Sequence, residues 1–551
     1  MGLFGSLYVG ASGLQTSQNA LNTVAHNLSN VDTQGYTRQQ VAQADRSYTT
    51  ISKDANIKSY KQTGLGVYYA RVRQVRDYFL DQTYRREAGR MSFYQVSYST
   101  FTQVEDLLGE FTGKSFSDSL GNLKEAVDEL AKEPASTVRQ GLLVQRASQF
   151  LQRAKTVYKD LSDLQDNLNV EVRKGIDRVN TISSRIYQLN KQICSIELAG
   201  YEHANDLRDE RNALLDELGG LINIEYKEDY DGAIIVKAEG HQLISRSAVY
   251  ELAVTADPDS GFYTPYWKAD AKTITLDNGT EVPDLSNSRV YDLTQVMSTE
   301  KNTDVGSIKA KLLARGDHRA NYTDLETDGE TYNTNIAQSI IMNVQAEFDK
   351  LVHIVATKMN EVLASAADAD NGYLVDKDGN PMQLFQKITT PGYDENGDYI
   401  PEDPSPGQAS TLYTTANMII NPDLVKSPSL LKFINGDKKE DFETAKLLQD
   451  VFSDEAYVLN PNNTNRCNVV DFYSNIVDQI AIGGSVFKSY YDNQTTTVDS
   501  TEYKRQQVVG VSDDEELGNM IKFQNAYNAS SRYINVIDEM IEHIINTLGA
   551  S

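Results

Sequence analysis

LFGSLYVGASGLQTSQNALNTVAHNL, residues 3–28, carries a leucine at every seventh position: Leu7, Leu14, Leu21 and Leu28. Near the other end of the chain the same period returns at Met520, Tyr527, Ile534, Ile541 and Leu548, joined by Ile537 and Ile544. Seven-residue apolar spacing is typical of helices that bury one narrow face against another helix. We therefore expect a first and a last helix that lie side by side, antiparallel, and form the assembly seam of a protein that polymerises.

The composition is that of a folded, acidic, multidomain protein. The chain has 551 residues, of which 40% are hydrophobic, and this length suffices for about three or four domains. Its formal net charge is −26, which argues against nucleic acid or an anionic membrane as a partner, since both require a basic surface. No apolar run reaches the roughly 18 residues that cross a bilayer, and the first residues lack the positive region of a secretory signal.

Changes in hydrophobic period divide the rest of the chain. Helical spacing is predicted for residues 77–218, with breaks near Gly113 and Pro134, and for 335–366, 442–452 and 469–491. Residues 36–75 are predicted to be extended or irregular, and strands are predicted at 222–227, 233–237 and 272–276, the last before a turn at 277–279. A stretch rich in Thr and Asp follows residue 491, and a capping box of Ser512 and Glu515 marks the start of the last helix.

These ranges predict an α+β multidomain fold. Its core is a discontinuous α-helical coiled coil formed by N- and C-terminal segments, from which a mainly-β domain and a second, irregular or β, insert project. The predicted domains are a terminal coiled coil (1–40 with 510–551), a helical rod (41–225 with 306–370 and 437–509), a β-rich domain (226–305) and an insert rich in Pro, Gly and Asp (371–436).

Residue patterns of catalytic, cofactor or metal sites are not found in the sequence. The six His and two Cys include no HExxH or CxxC spacing, and there is no glycine-rich phosphate loop and no GxSxG. Asp376–Asn380 and Asp394–Asp398 are predicted to be turns, because neither has the full ligand set of a calcium loop. We predict a protein that is not an enzyme and has no cofactor, although scattered carboxylates leave a hydrolase as an alternative.

A polar face accompanies the leucine stripe of the first helix. Asn19, Asn22, His26 and Asn30 follow at intervals of three, four and four, so they share one side of a helix. A solvent-exposed helix face usually carries Lys or Glu, but residues 2–30 contain neither. Because amides form hydrogen bonds without counter-charges, this face is predicted to be buried between identical neighbours.

Three segments carry a resemblance to a known family. LNTVAHNLSNVDTQGYTRQ, residues 21–39, resembles the N-terminal motif of bacterial flagellar rod, hook and hook-associated proteins. The matching positions are Asn22, Ala25, Asn27, Asn30, Thr33 and Gly35, and His26 stands where the family usually has Asn. The GYTRQ ending, ANDLRDERNALLDEL (204–218) and VGVSDDEELGN (509–519) are similar to hook-associated members more than to hook or rod proteins.

The resemblance implies a structural protein at the junction between the flagellar hook and the filament. Its implied partners are further copies of itself, the hook protein, the next hook-associated protein and an export chaperone at the C-terminal region. It implies an extracellular location, reached through the flagellar export apparatus without a cleaved signal peptide. The alternatives are another axial protein, such as the hook protein, or a secreted adhesin or enzyme that the terminal helices anchor.

The terminal helices also suggest how assembly proceeds. An isolated helix pair of this size is only marginally stable, and chain termini without partners are usually poorly ordered. We therefore predict that residues 1–40 and 505–551 are mobile in the free chain and become helical when neighbouring copies cover them.

Overall fold

The computed structural model describes residues 3–33, 35–46, 49–54, 59–108, 115–198, 203–275, 281–405, 407–434 and 439–548. Its helices are α1 (Leu3–Ser29), α2 (Tyr78–Leu108), α3 (Phe116–Lys132), α4 (Thr137–Glu197), α5 (Asn205–Leu221), α6 (Ser307–Arg315), α7 (Gly329–Asn335), α8 (Ile340–Ala366), α9 (Pro422–Lys426), α10 (Phe442–Ser453), α11 (Val469–Val509) and α12 (Asp513–Leu548). Within the same ranges, none of these helices is long and apolar enough to span a membrane.

The strands form small antiparallel sheets, as expected for an α+β protein. They are β1 (Gln39–Asp45), β2 (Thr49–Asp54), β3 (Ser59–Thr63), β4 (Val67–Gln74), β5 (Ile224–Glu228), β6 (Ile234–Ala238), β7 (His241–Ile244), β8 (Leu252–Ala256), β9 (Tyr263–Trp267), β10 (Thr273–Thr275), β11 (Glu281–Pro283), β12 (Phe385–Lys387) and β13 (Met418–Ile420). β5, β6 and β7 form one three-stranded sheet, and the other strands pair as β1–β4, β2–β3, β8–β9, β10–β11 and β12–β13.

Most predicted elements occur where the sequence places them. The first helix, the long helix of the 77–218 region and the strands at 222–227 and 233–237 are confirmed with small shifts at their ends. The helix predicted over 335–366 begins later, at Ile340, because the Ser339 hydroxyl accepts from the Met342 amide and caps the start of α8. The predicted break at Gly113 and the turn at 277–279 lie outside the described residues.

The stretch rich in Thr and Asp after residue 491 is helical, so the predicted end of the helix at residue 491 is wrong. It forms the last part of α11, which continues to Val509. Threonine lowers helix propensity by only a few tenths of a kcal/mol, and tertiary contacts outweigh this cost. Gln494 donates to the Glu87 carboxylate at 2.8 Å, and the Arg505 guanidinium lies 4.1 Å from the centre of the Tyr84 ring.

The chain divides into two compact units. One contains residues Met1–Gly89, Arg178–Glu251 and Gln494–Ser551, and the other contains Arg90–Asp177 and Leu252–Asn493. The first unit holds α1, α5, α12 and strands β1 to β7, and therefore all three family-like motifs. The four domain ranges given above stay a prediction.

The second unit has one large hydrophobic core, to which the insert 371–436 contributes. Buried side chains of the insert, among them Phe385, Tyr413 and Phe433, belong to the same cluster as Phe348 and Leu351 of α8. The expectation that this insert projects from the helices is therefore wrong for these side chains. The sequence did not indicate this packing, because the apolar residues of the insert occur in short runs without a regular period.

Candidate functional site

The first and last helices of the chain pack against each other and run antiparallel, as predicted. Gly10 faces Ile534, Gly13 faces Ser530, and Asn27 bonds to Glu516, so positions along α12 fall as positions along α1 rise. A Cβ atom added to Gly10 would lie 2.8 Å from Cγ1 of Ile534, and one added to Gly13 would lie 2.8 Å from Oγ of Ser530. The two backbones thus approach each other closely at these glycines.

Most of the buried residues of α1 are small. The buried residues of α1 are Gly10, Ser12, Thr16, Ser17, Ala20, Val24 and Asn27. Together with the half-buried Gly13, six positions follow a regular spacing of three and four, and we call them the small-residue seam: Gly10, Gly13, Ser17, Ala20, Val24 and Asn27. The leucine stripe, Leu7, Leu14, Leu21 and Leu28, borders this seam and is only half-buried.

The predicted seam residues of α12 are covered to different degrees. Met520, Tyr527, Ile534 and Ile541 are half-buried. Ile537 is buried, and Ile544 is 40% exposed; the side chain of Leu548 is outside the described residues. The register of the pair places Leu3 beside Met540, so roughly the last two turns of α12 extend past the described residues of α1.

One flank of α12 carries apolar residues that the single chain covers only in part. Tyr533, Val536, Met540 and Ile544 are 40–49% exposed, and their spacing of three, four and four puts them on one side of the helix. We call these four residues the outer patch. Nearby on α1, Phe4 is 77% exposed. Contiguous apolar surface of this kind is typical of a protein–protein contact.

The predicted polar face of α1 is partly open to solvent. Asn22 and His26 are exposed, and Asn19 and Asn30 are half-buried. Asn30 closes the end of the helix, because its side-chain amide donates to the backbone oxygen of His26 at 2.9 Å. The His26 ring lies edge-on to the Tyr36 ring, with 5.6 Å between the ring centres.

Asn27 lies on the other side of the helix, inside the chain. Its Nδ2 donates to the backbone oxygen of Gln39 at 2.9 Å and to Glu516 Oε2 at 3.1 Å. Its Oδ1 accepts from the Tyr36 hydroxyl at 2.8 Å and from the Gln39 amide at 3.0 Å. Gly35, with a φ of 81°, adopts the left-handed backbone that turns the chain back alongside α1.

Arg38 connects the N-terminal motif to the start of α12. Its Nε donates to the buried Glu516 at 2.8 Å, and its Nη1 donates to Glu515 at 2.7 Å. The Arg38 amide also donates to the backbone oxygen of Val509 at 2.8 Å. The predicted capping box is therefore only half present: the Glu515 amide lies 3.5 Å from Ser512 Oγ, while the Glu515 carboxylate binds Arg38.

Asp209, from the motif at 204–218, joins the same network. It accepts from the Thr37 hydroxyl at 2.6 Å and from Gln74 Nε2 at 2.8 Å. Burial raises the pKa of Asp209, and the hydrogen bonds from Thr37 oppose this shift. Burial, followed by the charge of Asp209, also raises the pKa of Tyr36.

Residues of all three family-like motifs thus meet at one place, which we call the motif junction: Asn27, Thr37, Arg38, Asp209 and Glu516. The sequence identified the motifs, but it did not indicate that they touch. No sequence signal connects Thr37 with Asp209, which lies 172 positions away.

The two acidic loops of the second unit have the geometry of turns. In each, the first aspartate accepts from its own loop: Asp376 Oδ1 from the Asp378 and Asn380 amides, and Asp394 Oδ1 from the Asn396 and Asp398 amides. Among the described residues, no three His, Cys, Asp or Glu side chains are grouped so that they could hold a metal ion.

Comparison with known proteins connects these elements to one family. A family model described as the flagellar hook-associated protein FlgK helical domain matches residues 101–378. A flagella basal body rod protein model matches residues 7–37, and a flagellar basal body rod FlgEFG protein C-terminal model matches 506–547. The last two matches fall on α1 and on α12.

Whole-chain relatives and a solved structure agree with these matches. The chain is 25% identical to flagellar hook-associated protein 1 of Bacillus subtilis, over 97% of this chain and 96% of that protein. It is 24% identical to flagellar hook-associated protein 1 of Escherichia coli, over 97% and 98%. Its fold is similar to that of the flagellar hook junction protein FlgK from Burkholderia pseudomallei, with a TM-score of 0.54, 13% identity, and coverage of 78% of this chain and 100% of that one. The chain belongs to the family of flagellar hook-associated proteins that carry the FlgK helical domain.

Proposed function

We propose that this chain is a structural axial component of the bacterial flagellum and forms the junction between hook and filament. The observation that carries the proposal is the antiparallel pair of α1 and α12, which leaves apolar side chains uncovered on a chain of this family. Its work is mechanical assembly rather than catalysis.

The outer patch and the leucine stripe are the surfaces that successive copies cover. A contact between unlike faces of neighbouring subunits is heterologous, and repetition of such a contact generates a helical tube or a closed ring. Asn22 and His26, exposed on α1, add hydrogen-bonding groups that need no counter-charge. We assign these residues to the contact between copies.

The partners that we propose are further copies of this chain, the hook protein on one side and the next hook-associated protein on the other. Before assembly, an export chaperone holds the C-terminal region, and the chain leaves the cell through the flagellar export apparatus. The net charge of −26 supports this sequence of events, since like charges oppose premature association of free copies.

The location of the protein tests the proposal. We would place an epitope tag at the exposed turn around Tyr230, which is 89% exposed, and locate it on flagella by immunogold electron microscopy. We expect gold only at the boundary between hook and filament. Gold along the whole hook would instead identify the chain as the hook protein, and gold away from the flagellum would favour a secreted adhesin or enzyme.

A further inference from the structure

A glutamate in the first half of α8 is completely buried in the second unit. Glu347 has no exposed surface, and it lies where α8 meets α7, α11 and the connection at residues 454–468. Glutamate is almost never fully buried unless it is paired. The state of charge of Glu347 therefore matters for the stability of this unit.

The hydrogen bonds that Glu347 accepts come from neutral amide groups. Its Oε1 accepts from Asn460 Nδ2 at 2.8 Å, and both of its carboxyl oxygens accept from Gln479 Nε2 of α11 at 3.3 Å. Among the described residues, no nitrogen of a Lys, Arg or His side chain lies within 4.0 Å of this carboxyl group. A buried carboxylate without a cationic partner is costly, and such a group takes up a proton instead.

The titratable groups that face Glu347 in the described part of the chain do not change this result. Tyr332 of α7 stays neutral near pH 7, because burial, and after it the charge of Glu347, raises its pKa. Lys350, one turn further along α8, favours the charged form of Glu347, but the charge of Glu326 acts on Lys350 more strongly than that of Glu347 does. Burial therefore raises the pKa of Glu347 to about 7, although the hydrogen bonds from the two amides oppose this rise.

We propose that Glu347 makes the second unit sensitive to pH: its carboxyl group is protonated while the unit is folded, and loss of the proton weakens the contacts of α8 with α11 and with residues 454–468. This proposal rests on the fold of the second unit and does not depend on the proposed function.

The direction of the effect follows from the difference between the folded and the unfolded chain. A glutamate in an unfolded chain has a pKa of about 4.3, which is lower than the pKa of about 7 in the folded unit. Between these two values the folded unit keeps a proton that the unfolded chain releases, so stability falls as pH rises. The stabilisation from this proton is complete below about pH 4 and is lost as pH rises through about 7.

The single tryptophan of the chain reports on the unit that contains Glu347. Trp267 is buried in the second unit, so its fluorescence follows the urea unfolding of this unit in the full chain. We would compare the wild type with Glu347→Gln, which has the shape of the protonated carboxyl group and cannot ionise, at pH 5 and at pH 8. We expect the ratio of their folding constants, variant over wild type, to be roughly 10- to 100-fold higher at pH 8, because only the wild type loses a proton.

Glu361→Gln is the matched control, since it makes the same change at an exposed position of the same helix. Its ratio to the wild type should be the same at both pH values. A ratio for Glu347→Gln that does not differ between pH 5 and pH 8 would overturn the proposal.

Gln479→Leu tests the proposal without changing the carboxyl group, so it still decides if Glu347→Gln folds poorly. Gln479 donates to Glu347 and favours its charged form. We therefore expect the loss of stability in this variant to occur at a higher pH than in the wild type. An unchanged midpoint of the pH dependence would show that ionisation of Glu347 is not its cause.

Discussion

Asn27 is the residue on which the motif junction depends most. One buried amide satisfies Tyr36, the backbone of Gln39 and Glu516, which come from two distant parts of the chain. An amide suits this place because it donates and accepts at once, whereas a carboxylate here would repel Glu516.

We predict that Asn27→Ala lowers the stability of the α1–α12 pair by about 2–4 kcal/mol, because it leaves several buried partners unsatisfied. Hydrogen exchange of the α1 amides measures the local opening free energy, which suits a protein of several units better than a global unfolding curve. Asn22→Ala, on the exposed side of the same helix, is the control and should change that free energy by less than about 0.5 kcal/mol. Similar losses in both variants would show that burial of Asn27 is unimportant.

The sequence placed Asn27 among the motif residues but did not indicate its contacts. Asn27 lies on a different side of α1 from Asn19, Asn22, His26 and Asn30, the four residues predicted to be buried between copies. Composition near an amide cannot tell whether its partner is another copy or a distant part of the same chain. Only the contact with Glu516, 489 positions away, decides this.

At the scale of the helix, the close contact of α1 with α12 depends on glycine. Gly10 lies where an added Cβ would be within 2.8 Å of Ile534, whereas Gly5 has no atom within 4 Å of such a Cβ. Alanine is the better helix former by up to about 1 kcal/mol. Substitution by alanine at Gly5 therefore tests helix propensity alone, and the same substitution at Gly10 also tests packing against α12.

We expect Gly5→Ala to stabilise α1 and Gly10→Ala to destabilise it. At Gly10 the overpacking against Ile534 costs about 1–3 kcal/mol, which exceeds the gain in propensity. The opening free energies of α1 from hydrogen exchange should therefore shift in opposite directions. A stabilising effect of both substitutions would mean that the helices do not approach as closely as described.

The helix boundaries were predictable where one period extends over many residues, as in α1 and α4. They were not predictable in the second half of α11, because Thr495, Thr496 and Thr497 suggest a break that packing overrides. In α1 the sequence predicted the leucine stripe, but it did not predict the small-residue seam. Hydrophobicity scales give Leu a high value and Gly, Ser and Ala much lower values, although the small residues allow the closest approach of two helices.

At the scale of the whole molecule, cohesion of the helix pair and contact between copies involve different residues. Ile537 is buried, whereas Met540 of the outer patch is 49% exposed. We predict that Ile537→Asp opens the pair and blocks incorporation into flagella. Leu14→Asp, in the leucine stripe, should also block incorporation, and the second unit should stay folded in both variants. Met540→Asp should block incorporation equally but leave exchange protection of the pair unchanged.

Gln524→Asp, an exposed position of α12 outside the outer patch, is the control and should assemble normally. Normal incorporation of Met540→Asp would show that the outer patch is not the contact.

Hydrogen exchange of the free wild-type chain tests the prediction that residues 1–40 and 505–551 become ordered only upon assembly. The single chain has both terminal helices formed and paired, and strong protection of both in solution would contradict the prediction that they are mobile before assembly.

The sequence by itself determined that two terminal helices pair antiparallel, that the chain is acidic and multidomain, and to which family it belongs. These properties follow from periodicity, composition and short motifs, which are local. The tertiary structure decided that Gly10 and Gly13 of α1 lie against α12, that the three motifs meet at Asn27, Asp209 and Glu516, and that the insert 371–436 shares the core of the second unit. A repeating pattern reports which side chains share a face, but what covers that face depends on contacts between residues hundreds of positions apart, and these exist only once the chain has folded.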